Sequence, residues 1–384
     1  MNFDWSQKEK QLKQDAISFA QRNLNKDFEE REQRSVFSRE CWKKCADFGI
    51  QGMAVPVEFG GRESANILST TLFMEGLGYG CRDVGLLFGL NTQIWTVQLP
   101  ILEFGSAEQK KRFLPAMCSG EKVACDAMSE PNAGSDVYNQ QTTATKTDGG
   151  YLLNGTKCLI TLAPIADQAL VFATVDTALG KWGITAFLVD LSSEGVYKSK
   201  PMKKMGLRTI PIGEIRFENC FIPQENRLGE EGAGFAISQI SLEHERCCIM
   251  ASHVGAIDYL LEQTLRYCTT RKQFGQSVGG FQSVSNRIAD MKTRLETARL
   301  LLYRVAWLKQ QRRSAVMDAA ILKLYLSESF TESSLDAIRI HGGNGYLAKT
   351  GIEHYMRDAI GGLLYAGTSD IQRNIIAGLL GVQT

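Results

Sequence analysis

The chain has 384 residues, 44% of them hydrophobic and 22% charged. That length exceeds one ordinary domain, and those proportions exclude wholesale disorder. With 43 Lys plus Arg against 42 Asp plus Glu, the formal net charge of +1 gives no basic surplus for nucleic acid and no acidic solvating tail.

The start, MNFDWSQKEKQLKQ, is polar and mixed in charge. It has neither the apolar stretch of a signal peptide nor the Arg-rich, acid-poor character of a transit peptide, so a cytoplasmic location is expected. Residues 1–120 read as an N-terminal helical domain. Trp5, Leu12, Ala16 and Phe19 recur at helical spacing. Ser106 followed by Gln109 is a capping box. Glycines 60, 61, 78 and 80 are expected to break the region into separate helices.

Residues 121–228 change character. Short apolar or alternating runs, Tyr151–Leu153, Ala169–Ala173, Thr185–Val189 and Ile215–Phe217, are separated by turn signals at Asp148-Gly149-Gly150 and Asn154-Gly155. This predicts a middle β domain with antiparallel connections. From 229 to 384 the helical period returns. Val254, Ile257, Leu261 and Leu265 form one stripe, and Val284, Ile288, Met291, Leu295, Leu302 and Val305 a second. Leu324, Leu335 and Ile338 belong to a third segment, and Ile371, Ile375, Ile376 and Leu379 to a fourth. A C-terminal helical bundle is expected, and the fold class is α+β. No apolar run reaches the roughly 18 residues of a membrane span. The ten Cys are irregularly spaced without a C-x-x-C pair, as for reduced, partly buried thiols. The four His form no H-E-x-x-H pattern, so no metal is expected.

No G-x-G-x-x-G lies between a strand and a helix, and no Walker loop or G-x-S-x-G is present. Four segments rich in small and hydroxyl residues stand out instead. They are Ser129–Asp136, Lys157–Thr161, Arg271–Gly275 followed by Phe281-Gln282, and His341–Tyr346 followed by Tyr365–Arg373. Small residues let the backbone approach a ligand, and hydroxyls and N–H groups can hold phosphate or ring heteroatoms. Each segment alone is equally an ordinary turn or strand end. In the last, Gly367-Thr368 precedes a helix whose N-terminus can receive an anion.

In their order, SEPNAGSD, GTKCLIT, RKQFG with FQ after it, GGNGY and GTSDIQR resemble the acyl-CoA dehydrogenase flavoproteins over nearly the whole chain. The resemblance implies an N-terminal helical domain, a central antiparallel β domain, a C-terminal four-helix bundle, bound FAD and a homotetramer. Met128, Ser129, Gly134 and Ser135 would contact the flavin and the thioester arm. Thr161 would sit by the isoalloxazine ring with Leu159 beside it, where many relatives have Trp. Arg271, Phe274 and Gln282 would hold the adenosine-diphosphate half of a neighbouring subunit's FAD. Gly342 and Gly343 would join that site, with Arg339 where many relatives have Gln. Thr368 and Asp370 would close over the cofactor.

The reaction of this family removes the α-proton of a thioester with a base while the β-hydrogen leaves as hydride to the flavin. In many relatives the base is the Glu of Y-E-G-T, and here that motif reads Tyr365-Ala366-Gly367-Thr368. Ala366 cannot take a proton, although its backbone N–H can still bind the thioester oxygen beside Tyr365 and Gly367. A subset of the family carries the base on a bundle helix in a motif like L-x-x-E-R, matched by Leu242-Glu243-His244-Glu245-Arg246. Glu245 is therefore the expected base and Arg246 an expected substrate contact. The competing reading is a surface Glu paired with a nearby cation. Burial should raise the Glu245 pKa.

Three further stretches, Ser135–Asn139, Ala163–Asp167 and Gln282–Lys292, resemble the branch that oxidises L-prolyl thioesters on peptidyl carrier proteins to pyrroline or pyrrole. The partners implied are an acyl or peptidyl carrier protein, or a CoA thioester, with an electron-transfer flavoprotein or O2 as electron acceptor. The alternatives are a short- or branched-chain acyl-CoA dehydrogenase, an enoyl-thioester reductase, and a flavin-binding scaffold without catalysis.

Overall fold

The computed structural model describes residues 4–62 and 66–382. The first helices are α1 (Gln7–Asn23), α2 (Phe28–Arg34), α3 (Arg39–Asp47), α4 (Ile67–Gly80), α5 (Val84–Thr92), α6 (Leu99–Phe104) and α7 (Ala107–Cys118). A π turn, Gln93–Gln98, joins α5 to α6. The Ser106–Gln109 capping box is present, and Ser6 with Glu9 forms another at the start of α1. Trp5 lies before that helix and packs edge-on against Tyr303.

Glycines 60 and 61 fall between helices as expected, but Gly78 and Gly80 lie inside α4. They serve close packing. A Cβ at Gly78 would sit 1.9 Å from the Ser252 carbonyl oxygen, and one at Gly80 would sit 2.6 Å from that of Ile17. Buried Glu75, on the same helix, pairs with Lys13 at 2.7 Å and Arg299 at 2.9 Å, tying the N-terminal helices to the bundle.

The strands are β1 (Ala124–Ala127), β2 (Thr143–Thr147), β3 (Gly150–Thr161), β4 (Gln168–Thr174), β5 (Ile184–Asp190), β6 (Val196–Lys198), β7 (Ile212–Pro223) and β8 (Arg227–Leu228). They form one sheet in the order β6-β7-β3-β2-β4-β5-β8, with β1 on β4. Most neighbours are antiparallel, but β1 and β2 each meet β4 in parallel, so the sheet is mixed. Asp148-Gly149 makes the β2–β3 turn. Asn154-Gly155 does not turn the chain. It lies inside β3, where the register against β7 shifts and Gly155 takes a φ of +147°, as a bulge requires.

The remaining elements are α8 (Gly234–His244), α9 (Ala251–Thr270), a hairpin of β9 (Lys272–Gln273) and β10 (Gln276–Ser277), α10 (Gln282–Gln310), α11 (Val316–His341), α12 (Gly343–Tyr346), α13 (Glu353–Gly362) and α14 (Ser369–Leu379). Helices α9, α10 and α11 pack on one another, and α14 packs on α11. Val254, Ile257, Leu261, Met291, Leu295, Leu302 and Val305 are buried as their spacing predicts. Leu265 is exposed, and the buried face of α11 carries Leu322, Leu326, Phe330 and Ala337 rather than Leu324, Leu335 and Ile338. On α14 only Ser369 and Gln372 are buried, and Leu379 is exposed. All ten Cys are free and buried. Among the described residues no helix is long and apolar enough to cross a membrane, and no group of His, Cys, Asp or Glu side chains is placed to hold a metal ion.

Candidate active site

Two carboxylates in the Leu242–Arg246 motif have opposite fates. Glu243 meets Lys309 at 2.6 Å, which is the paired-surface reading realised two residues away. Glu245 opens a π turn, Glu245–Ile249, inserted between α8 and α9. One extra residue in the turn widens the helix and re-aims the side chains around it, a feature concentrated at functional sites. Glu245 is half-buried and has no hydrogen bond or ion pair among the described residues. Burial pushes its carboxyl up to about 7, against the opposing pull of Arg246 and Lys323.

The π turn packs against α5, α10 and α11. From α11 comes Lys323, fully buried, its Nζ without a hydrogen-bond partner. Burial pushes that amine down to about 8, and Glu245 is its leading counter-charge. Lys323 lies outside every motif that the sequence offers. Its signal was a cation at the spacing of the buried stripe Leu326, Phe330 and Ala337.

The segment after α13 closes the site on another side. Tyr365 stacks on Phe88 at 4.5 Å, and its hydroxyl shares a 2.8 Å hydrogen bond with His253 Nε2. Burial holds His253 down at about 4, hence neutral. Ala366 adopts a φ of +55°, unusual for a residue with a Cβ and costing on the order of 1 kcal/mol. Its carbonyl accepts from Arg246 Nε at 3.4 Å and Gln372 Nε2 at 3.0 Å. Its N–H has no acceptor among the described residues, so a donor is left for a ligand oxygen. Gly367, at φ +81°, leads into α14. The Thr368 hydroxyl caps that helix by accepting the Ile371 N–H at 3.2 Å, and exposed Asp370 pairs with Arg373.

The middle sheet supplies a third wall. The Ser129 carbonyl accepts the Cys158 N–H at 2.9 Å. Beneath it, buried Lys157 donates to Glu130 at 2.8 Å, to the Met128 carbonyl at 3.0 Å and to Gln140 at 3.1 Å. This ion pair holds the 128–140 loop on the end of β3. At that end the strand bulges, and Leu159, at φ +55°, stands 63% exposed. Among the described residues no hydrogen bond engages the hydroxyls of Ser129, Ser135 or Thr161. A Cβ on Gly134, Gly342 or Gly343 would meet nothing within 4 Å.

The other candidate residues lie apart from this wall. Arg271 and Phe274 are on the exposed β9–β10 hairpin, Gln282 starts α10, and Arg339 ends α11 beside Asp336. The Phe274 ring is 92% exposed.

The order of helices, sheet and helical bundle, a carboxylate unpaired among the described residues on a π turn, and a backbone N–H left without an acceptor at Ala366 define the class. The chain belongs to the acyl-CoA dehydrogenase family, whose N-terminal, middle and C-terminal domain models match residues 6–121, 125–220 and 232–380. It is 41% identical to the L-prolyl-[peptidyl-carrier protein] dehydrogenase of Serratia sp. (strain ATCC 39006) over 100% of this chain and 99% of that one. Among solved structures, it is similar to the prolyl acyl carrier protein oxidase AnaB, at 45% identity and a TM-score of 0.97 over 99% of this chain and 100% of that one. It is equally similar in shape to PigA with FAD and proline, at 41% identity and a TM-score of 0.97 over the whole of both chains.

Proposed function

We propose that this protein is a FAD-dependent dehydrogenase of an L-prolyl group held as a thioester on a peptidyl carrier protein, giving a pyrroline or pyrrole-2-carboxyl thioester. The observation that carries the reaction type is Glu245, a carboxylate with no partner and a pKa raised to about 7, where a general base for work near neutrality should lie. The likeness to the Serratia enzyme, AnaB and PigA supports the prolyl substrate.

The residues present fit FAD. Met128, the spare hydroxyls of Ser129, Ser135 and Thr161, the open glycine at 134 and the outward Leu159 would hold the flavin. Bound there, FAD supplies the hydride acceptor. Glu245 takes the Cα proton from the other side of the substrate, and Arg246 orients the 366–367 segment through the Ala366 carbonyl. The Ala366 N–H holds the thioester oxygen as negative charge develops on it. Tyr365 is locked by His253 and keeps water from that oxygen. Arg271, Phe274, Gln282, Arg339, Gly342 and Gly343 are exposed or open toward solvent, as residues that serve a neighbouring subunit's FAD in a homotetramer would be, with Thr368 and Asp370 at the rim. Electrons leave to an electron-transfer flavoprotein or to O2.

An anaerobic titration of the flavin band tests the reading. L-prolyl carrier protein is expected to bleach it. Bleaching by a short branched acyl-CoA alone would move the protein to acyl catabolism, and a protein that takes up no FAD would defeat the assignment.

A further inference from the structure

Asp126 is an acid in an apolar strand. It occupies β1 between Cys125 and Ala127, both fully buried, and pairs in register with Leu170. Its Oδ1 is buried without a hydrogen-bond partner, and no salt bridge reaches it among the described residues. The cation within electrostatic reach is Lys157, whose three bonds already go to Glu130, Met128 and Gln140. An unpaired carboxyl in such a place costs about 1–3 kcal/mol or more, and Ala124, buried on the same face of the strand, shows that this face accepts an apolar side chain. A cost of this kind is retained where the missing partner arrives with a ligand.

The position says which ligand atom. The Ala124 N–H donates to Gln93 Oε1 at 2.8 Å, and β1 packs on the Gln93–Gln98 turn, which packs on the Glu245 turn. Asp126 and Glu245 thus lie on neighbouring packed segments, near enough that charge on one opposes charge on the other. In a prolyl thioester the ring nitrogen is bonded to Cα, the carbon whose proton Glu245 takes. The nitrogen must therefore lie beside Glu245, and it brings the N–H donors and positive charge that Asp126 lacks.

We propose that Asp126 is the specificity-determining residue of this site, accepting a hydrogen bond from the ring amine of an α-amino thioester. The inference rests on the prolyl reading. A carbocyclic substrate of the same shape puts CH2 where the N–H should be and leaves Asp126 unpaired, so it is rejected. Sites built to bond a substrate N–H discriminate in this way by large factors.

The test compares the holoenzyme with Asp126→Leu, using carrier protein loaded with L-proline or with cyclopentanecarboxylate and reading the single-turnover rate of flavin bleaching. The wild type is expected to bleach with the prolyl thioester and react far more slowly with the carbocycle. Asp126→Leu is expected to lose roughly 100-fold on the prolyl thioester while its rate with the carbocycle holds or rises. Equal losses on both substrates, or undiminished preference for proline, would overturn the role of Asp126 and leave the prolyl function standing. Failure of the wild type with the prolyl thioester overturns both. If Asp126→Leu yields no flavoprotein, the smaller Asp126→Ala serves the same comparison, with the same loss of preference expected and the same outcomes against it.

Discussion

Glu243 and Glu245 are two residues apart, which on a helix places them on nearly opposite faces. One reaches the Lys309 ammonium and the other turns into the protein without a partner. Glu245→Gln removes the base and keeps the shape. Turnover is expected to fall by at least 1000-fold, beyond the range in which solvent could substitute, while FAD content is unchanged. Near-normal bleaching by this variant would refute the base assignment. Because Glu245 must be ionised to act, kcat/KM should rise with pH and level off above about 7. The groups facing it shape that profile: Arg246 on its own turn, Lys323 from α11, Asp126 from β1 and Tyr365 after α13.

The same group has a linked effect on stability. Its folded pKa lies above the unfolded value, so the folded state holds a proton that the unfolded state has lost between about pH 4.5 and 7. Stability is full below that window and declines as pH rises through it. Glu245→Gln, always neutral, is then expected to stabilise the FAD-free protein at pH 8 by about 3 kcal/mol, seen as a Tm gain that vanishes at pH 4.5.

At the scale of elements, the site depends on how closely α4 and α9 approach, because α9 continues from the π turn. Gly78 and Gly255 make that approach possible, and a Cβ at Gly255 would lie 2.0 Å from the Glu75 carbonyl oxygen. Gly78→Ala must push the helices apart. A loss of about 2 kcal/mol or more is expected, measured as a fall in the denaturant midpoint; a neutral result would mean that the contact relaxes freely. The Ser106 capping box and most of the α9 and α10 stripes are legible because they are local: a few side chains and a fixed period suffice. Gly78, Gly80 and Asn154-Gly155 depart from the sequence expectation for the opposite reason. A glycine in sequence signals freedom at the backbone, but whether that freedom makes a turn, a bulge or a helix contact depends on what lies opposite.

At the scale of the molecule, apolar surface remains that a single chain does not cover. Phe274 stands out on its hairpin, and α14 shows Leu379 and Leu380, the latter 70% exposed. If the hairpin serves a neighbouring subunit's FAD as proposed, a charge there disturbs both assembly and cofactor. Phe274→Asp is expected to shift the particle toward smaller oligomers and to lower FAD content at least tenfold at fixed concentration, read by light scattering and flavin absorbance. A variant that stays fully assembled and yellow would place Phe274 outside the interface.

The sequence by itself determined the α, β, α order, through periods of 3.6 and 2, and the family, through motifs held in sequence order. It also singled out Glu245, since Ala366 removed the competing position for a base. Tertiary structure alone decided that Glu243 is paired while Glu245, among the described residues, is not, that the charges of Lys323 on α11 and Asp126 on β1 bear on Glu245, and that the Ala366 N–H has no acceptor among those residues. Pairing and burial are relations among residues far apart in the chain. A residue's type limits which partners it can take, but only the packed fold decides whether a partner is there.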